Sequence, residues 1–134
     1  MHIDGFAKFQ DKDTIITMSE DDLAEWEVPE ADIQTLYSAK NKDDKEYDFV
    51  TLPLTKKPII TEYGKKLGYK GSYINYYIAN TVVLVPNYND GNDAVANALI
   101  QKLYPTRKVI GIDVRNLYEN GGMIHCVTQQ QPKE

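Results

Sequence analysis

One thiol, two imidazoles and a carboxylate stand out in this chain. Cys126 is the only cysteine, and it follows His125 in the stretch NGGMIHCVTQQQP at 120–132. The only other histidine, His2, opens the stretch HIDGFAKF and has Asp4 two residues beyond it. A nucleophilic cysteine needs thiolate character, access, and a base or positive charge nearby. His125 is the obvious partner, but adjacent side chains of an extended segment point to opposite faces. An extended 120–132 segment would therefore turn His125 away from Cys126. His2 is then the expected partner, because catalytic Cys and His commonly lie far apart in sequence. On a strand, His2 and Asp4 would share a face and enter one site together. A carboxylate accepts two parallel N–H bonds, so Asp4 suits a planar guanidinium or orients the imidazole. Gly121 and Gly122 let backbone approach a ligand closely. The bland alternatives also stand: a lone cysteine is most often a small buried hydrophobe, and a histidine beside the first residue often belongs to a tail. The residues by themselves indicate an α/β domain with a candidate thiol site.

The elements that must position these residues are legible in the order of patterns. The 134 residues suit one domain, 1–134, with enough chain to bury a core. A 42% hydrophobic and 26% charged composition is ordinary for a globular protein. The net charge of −5 argues against nucleic acid as a partner. There is no apolar run long enough to span a bilayer and no secretory signal pattern. A single cysteine excludes an internal disulfide or a multi-cysteine zinc site and suits a reducing, cytoplasmic setting. Ten tyrosines against three phenylalanines suggest half-buried surfaces with a polar rim.

Residues 4–10 and 14–18 read as strands, the second rich in β-branched residues. Ser19 with Asp22 resembles a capping box, and Pro29 suits the first position of a helix whose Ile33, Leu36 and Tyr37 share a face. Residues 47–54 form the third predicted strand. The order then recurs. Residues 72–80 alternate, with Ile74, Tyr76 and Ile78 on one face and Tyr73, Asn75 and Tyr77 on the other. Residues 81–86 are a buried apolar strand. Ala96, Leu99, Ile100 and Leu103 follow helical spacing up to Pro105, and 107–113 is a strand. Two strand–strand–helix–strand units, 4–54 and 72–113, are thus expected before the cysteine segment. The Gly- and Lys-rich stretch 55–71 between them reads as a long connector with solvated lysines.

The stretches HIDGFAKF, GSYINYYIANTVVLVPNYND, LYPTRKVIGIDVRNLYENGG and IHCVTQQQP, in this order, resemble the bacterial agmatine deiminase and peptidylarginine deiminase family. The resemblance covers nearly the whole chain and is weakest over 11–70. It implies an α/β fold of repeated ββαβ units, part of a five-bladed pentein propeller. It also implies hydrolysis of a guanidino group to a ureido group with release of ammonia, without metal or organic cofactor. In that reading Cys126 is the nucleophile and His2 the general acid and base. Asp4 holds the guanidinium, and Gly121 and Gly122 leave room for the flat cation. Agmatine is the expected substrate and N-carbamoylputrescine the product, with arginine in peptides as the alternative. A non-catalytic assembly module is the reading from another class.

Two departures matter. Met123 stands where the family often has a polar residue. The chain is also far shorter than family enzymes, which place further catalytic carboxylates upstream of the HID motif. A C-terminal fragment carrying about two of five units is expected, its partner being the missing N-terminal part of the same protein. Such a fragment should expose apolar surface, tend to self-associate, and turn over substrate poorly or not at all.

Overall fold

Regular structure forms where apolar residues can be covered, and stops where backbone groups find side-chain partners instead. A computed structural model describes residues 2–133. After a short 3₁₀ turn at Ile3–Gly5 come β1 (Lys8–Phe9) and β2 (Thr14–Thr17), then α1 (Glu20–Glu25) and α2 (Glu30–Ser38), then β3 (Asp48–Thr51). β1 pairs antiparallel with β2, and β2 pairs parallel with β3, Ile15 opposite Phe49 and Ile16 opposite Val50. The second half repeats this plan with β4 (Tyr77–Ile78), β5 (Val82–Asn87), α3 (Asp93–Leu103) and β6 (Lys108–Asp113). β4 is antiparallel to β5, and β5 runs parallel to β6 over six paired residues from Val82–Lys108 to Asn87–Asp113. A parallel pair needs a crossover, and the helices supply it in both sheets. The last elements are α4 (Arg115–Tyr118) and a second 3₁₀ turn at His125–Val127.

The expected helix signals mark both starts, although Pro29 stands one residue before the first position of α2 rather than in it. Ser19 Oγ accepts the amide of Asp22 at the start of α1, and Pro29 caps α2, which buries Ile33. Asp93 accepts the amides of Tyr88 and Asp90 at 3.1 Å, tying the turn before α3 to its first residue.

Three expectations need correction. Residues 4–10 are not a continuous strand: Ile3–Gly5 coils, and only Lys8–Phe9 pair. Residues 72–80 form a strand only at Tyr77–Ile78, with a single bridge from Ser72 to Leu54, and Tyr73, Ile74, Asn75 and Tyr76 are all buried. The alternation there marks two packed surfaces rather than one face in water. The tyrosines, finally, are not mainly a rim. Tyr73, Tyr76, Tyr88, Tyr104 and Tyr118 are buried, and each hydroxyl has a partner, as burial of a phenol requires. Tyr73 donates to Asp93 (2.7 Å), Tyr118 to the Lys70 carbonyl (2.7 Å), and Tyr76 and Tyr104 share a bond of 2.9 Å.

The 55–71 connector is folded against the rest. Thr55 and Gly71 exchange backbone and side-chain bonds, and the Ile59 amide donates to the Tyr69 carbonyl. Lys65 reaches Glu119 and Lys70 reaches Glu25, so two of its lysines are paired rather than merely solvated. This excursion closes over α4, where the Tyr69 ring meets the edge of Tyr118 at 5.2 Å.

Candidate functional site

The site begins with Asn75. Its side chain is fully buried in the irregular segment before β4. Burying a carboxamide is costly unless its groups are hydrogen-bonded. Asn75 Nδ2 donates to the Asp4 carbonyl at 3.1 Å, and Asn75 Oδ1 accepts the His125 amide at 2.9 Å. One buried residue thereby holds both 3₁₀ turns, one from each end of the chain. Ser72 adds a second tie, donating to the Gly5 carbonyl at 2.6 Å.

This clamp places Asp4, His125 and Cys126 together. His125 Nδ1 lies 2.7 Å from Asp4 Oδ2. Cys126 Sγ lies 3.7 Å from the same carboxylate oxygen and 3.6 Å from Asn75 Oδ1. Burial desolvates Asp4 and works to raise its pKa. The hydrogen bond and charge of His125, then Asn75 and Cys126, outweigh it, leaving the carboxyl below its ordinary range. Cys126 is exposed rather than packed as a small hydrophobe. Behind the carboxylate, Lys8 extends inward to the Tyr76 carbonyl and sits 4.2 Å over the Tyr76 ring. Burial pushes its ammonium down to about 8, against support from the charges of Asp4 and Cys126.

The thiol opens on a pocket of about 250 Å³, whose walls include His2, Asp4, Trp26, Asn75, Gly121 and Cys126. His2 and Asp4 thus reach one pocket, although through a 3₁₀ turn and not a shared strand face. Gly121 adopts φ +85°, a left-handed conformation that side chains resist. Gly122 is not in the pocket wall. A Cβ there would lie 3.2 Å from Cys126 Cβ, so glycine allows the loop to pass close behind the thiol. Met123 also lines the pocket but is nearly covered, and its sulfur accepts from the Tyr88 hydroxyl at 2.8 Å. The glutamines 129–131 lie outside it, along a surface groove with Tyr77, Ile78, Ala79 and Asn80.

The largest correction concerns His125. The 120–132 segment is not extended at the cysteine, and His125–Val127 form a 3₁₀ turn. Neighbouring side chains on such a turn need not oppose one another, and here both meet Asp4 Oδ2. The sequence pointed to His2, Asp4 and Cys126 but missed Asn75, whose only signal was a polar residue in an otherwise apolar and aromatic run. Among the described residues no group of three or more His, Cys, Asp or Glu side chains is placed to hold a metal, and no helix is long and apolar enough to cross a membrane.

Comparison with known proteins gives the family and a likeness of fold. The sequence pattern of the Porphyromonas-type peptidyl-arginine deiminase family matches residues 1–132. A relative from Latilactobacillus sakei, named "Putative agmatine deiminase", is 30% identical over 98% of this chain and 40% of its own length. The structure of the agmatine deiminase of Enterococcus faecalis superposes with a TM-score of 0.82 at 24% identity, covering 98% of this chain and 40% of that one, a likeness of fold. A substrate-bound variant of the C. jejuni agmatine deiminase gives a TM-score of 0.64 at 28% identity, covering 92% of this chain and 35% of that one. The chain therefore spans about two fifths of the length of the relatives it matches.

Proposed function

Because the chain belongs to the Porphyromonas-type peptidyl-arginine deiminase family, we propose that its pocket is part of a site that hydrolyses a guanidino group. Agmatine is the favoured substrate and N-carbamoylputrescine the product. The observation that carries this reading is the exposed thiol of Cys126 in one pocket with His2 and Asp4. The Cys126 thiolate attacks the guanidinium carbon. The C–N bond breaks as imidazolium His2 gives its proton to the departing nitrogen, which leaves as ammonia. An S-linked thiouronium remains on Cys126. Neutral His2 then takes a proton from water, and the hydroxide adds to the same carbon. The C–S bond breaks, the thiolate returns, and the ureido product departs after losing its proton. Asp4 holds the planar cation in line, Gly121 keeps the pocket mouth open, and Gly122 allows the loop its path behind the thiol.

The repeated ββαβ plan fits two units of a five-bladed propeller, with 1–134 as a single domain within a longer enzyme. In that enzyme the remaining length, absent from this chain, supplies the rest of the guanidinium clamp, and with it the choice between agmatine and arginine in peptides. The chain alone is then a weak or inactive catalyst. The test is ammonia release from agmatine and from an arginine peptide, by the chain alone and by a full-length relative. Strong turnover by the chain, unaffected by Cys126→Ala, would overturn the assigned nucleophile.

A further inference from the structure

We propose that His125 is a positioning residue for Asp4: its Nδ1–H, 2.7 Å from Asp4 Oδ2, fixes the carboxylate on which the guanidinium and the Cys126 thiol both depend. This rests on the guanidine-hydrolase reading above. An exposed His–Asp pair on two flexible arms would contribute little, since ordering both side chains offsets the attraction. Here the two backbones are not free. The His125 amide is held by the Oδ1 and the main-chain oxygen of Asn75, and the Asp4 carbonyl by Asn75 Nδ2. The buried carboxamide sets the separation of the two turns before the imidazole and the carboxylate meet.

The choice of oxygen has a consequence. His125 and Cys126 both approach Oδ2, so a guanidinium that used both oxygens of Asp4 would share Oδ2 with them. Holding Oδ2 toward the turn leaves Oδ1 as the oxygen not taken up by either. His125 thereby decides which way the carboxylate faces without touching the reacting atoms. A carboxylate only accepts, so the neutral imidazole must carry its proton on Nδ1. That tautomer is the minor one of a free histidine side chain in water, and it is a signature that a merely space-filling ring would not show.

The test has two independent arms on the intact chain. In the first, ¹⁵N spectra of the neutral imidazole are expected to show His125 protonated at Nδ1, and a mixture favouring Nε2 in Asp4→Ala. An Nε2–H tautomer in the unaltered chain overturns the proposal, and needs no variant to fold. In the second, agmatine is titrated against alkylation of Cys126 by iodoacetamide. His125→Ala is expected to raise the half-protecting concentration about tenfold, the equivalent of one hydrogen bond. His125→Asn, whose Nδ2 can stand where Nδ1 stood, should restore it to within about threefold. Protection unchanged in His125→Ala overturns the positioning role. Absence of protection in the unaltered chain assigns agmatine binding to the part of the clamp this chain lacks, and the tautomer then decides the His125–Asp4 contact alone.

Discussion

The two ββαβ units share a plan but differ in what covers them, and the site is built across that difference. The second unit has a six-residue parallel pairing and a layer of buried tyrosines, each with its hydroxyl bonded. The first has a four-residue parallel pairing, and Phe9 in its edge strand and Ile3 before it are 64% and 68% exposed. An apolar hollow of about 480 Å³ lies among Ile3, Phe6, Phe9, Ile15, Leu36 and Tyr47. Asn75 lies in the second unit just before β4, and Cys126 follows that unit. Asp4 hangs from the less covered first unit and is brought in by two bonds from Ser72 and Asn75. The better-covered half therefore carries the nucleophile, and the less covered half carries the carboxylate that must meet it. Precision in such a site comes from the tie between halves more than from either half alone.

This contrast can be broken at several points. The largest effect is expected at the nucleophile: Cys126→Ala should abolish thiol labelling and any ammonia release, with little change in melting temperature, because the side chain is exposed. Next is the tie itself. Asn75→Ala removes a buried donor and acceptor and leaves the Asp4 carbonyl without that bond. A loss of about 1–3 kcal/mol in denaturant unfolding is expected, and the agmatine protection of Cys126 should fall with it. An unchanged stability would show that the halves are held some other way.

Exposure of the first unit gives a third, smaller effect. Ile3→Ser with Phe9→Ser should lower self-association in light scattering at high concentration. A clean monomer in the unaltered chain would remove the contrast in covering as a cause of assembly. The subtlest test reads electrostatics across the tie. Lys8 should titrate near 8 by ¹³C NMR of its side chain, and lower still in Asp4→Asn, since the carboxylate supports the ammonium. Its folded value is depressed, so the unfolded chain binds more protons between about 8 and the ordinary lysine value. Stability gained from this group should thus rise with pH through that window. Asp4, also depressed, acts on the acid side: its contribution is present above the ordinary carboxylate range and lost as pH falls through the lowered value. Urea midpoints from about pH 5 downward should fall less steeply in Asp4→Asn.

Local signals account for much of the order of elements. Ser19 and Pro29 marked helix starts because caps act within three residues, and the run 81–86 marked a buried strand because no polar residue interrupts it. Periodicity misled where burial is two-sided. Residues 72–76 alternate as a strand would, yet pack on both faces without pairing as one. It misled again at 3–5 and 125–127, where single turns too short to leave a period decide which side chains meet.

By itself the sequence determined which chemistry was on offer: one thiol, two imidazoles, the HID carboxylate and the glycines beside the cysteine, all of them covalent facts of the chain. It also settled the succession of two similar units, because helix and strand periods are local. Only the tertiary structure decided which imidazole touches the carboxylate. That contact joins residues 121 positions apart and depends on a buried Asn75 whose bonds exist only after both 3₁₀ turns have docked on it. No local rule carries such a contact, since its geometry is imposed by packing rather than by neighbours along the chain.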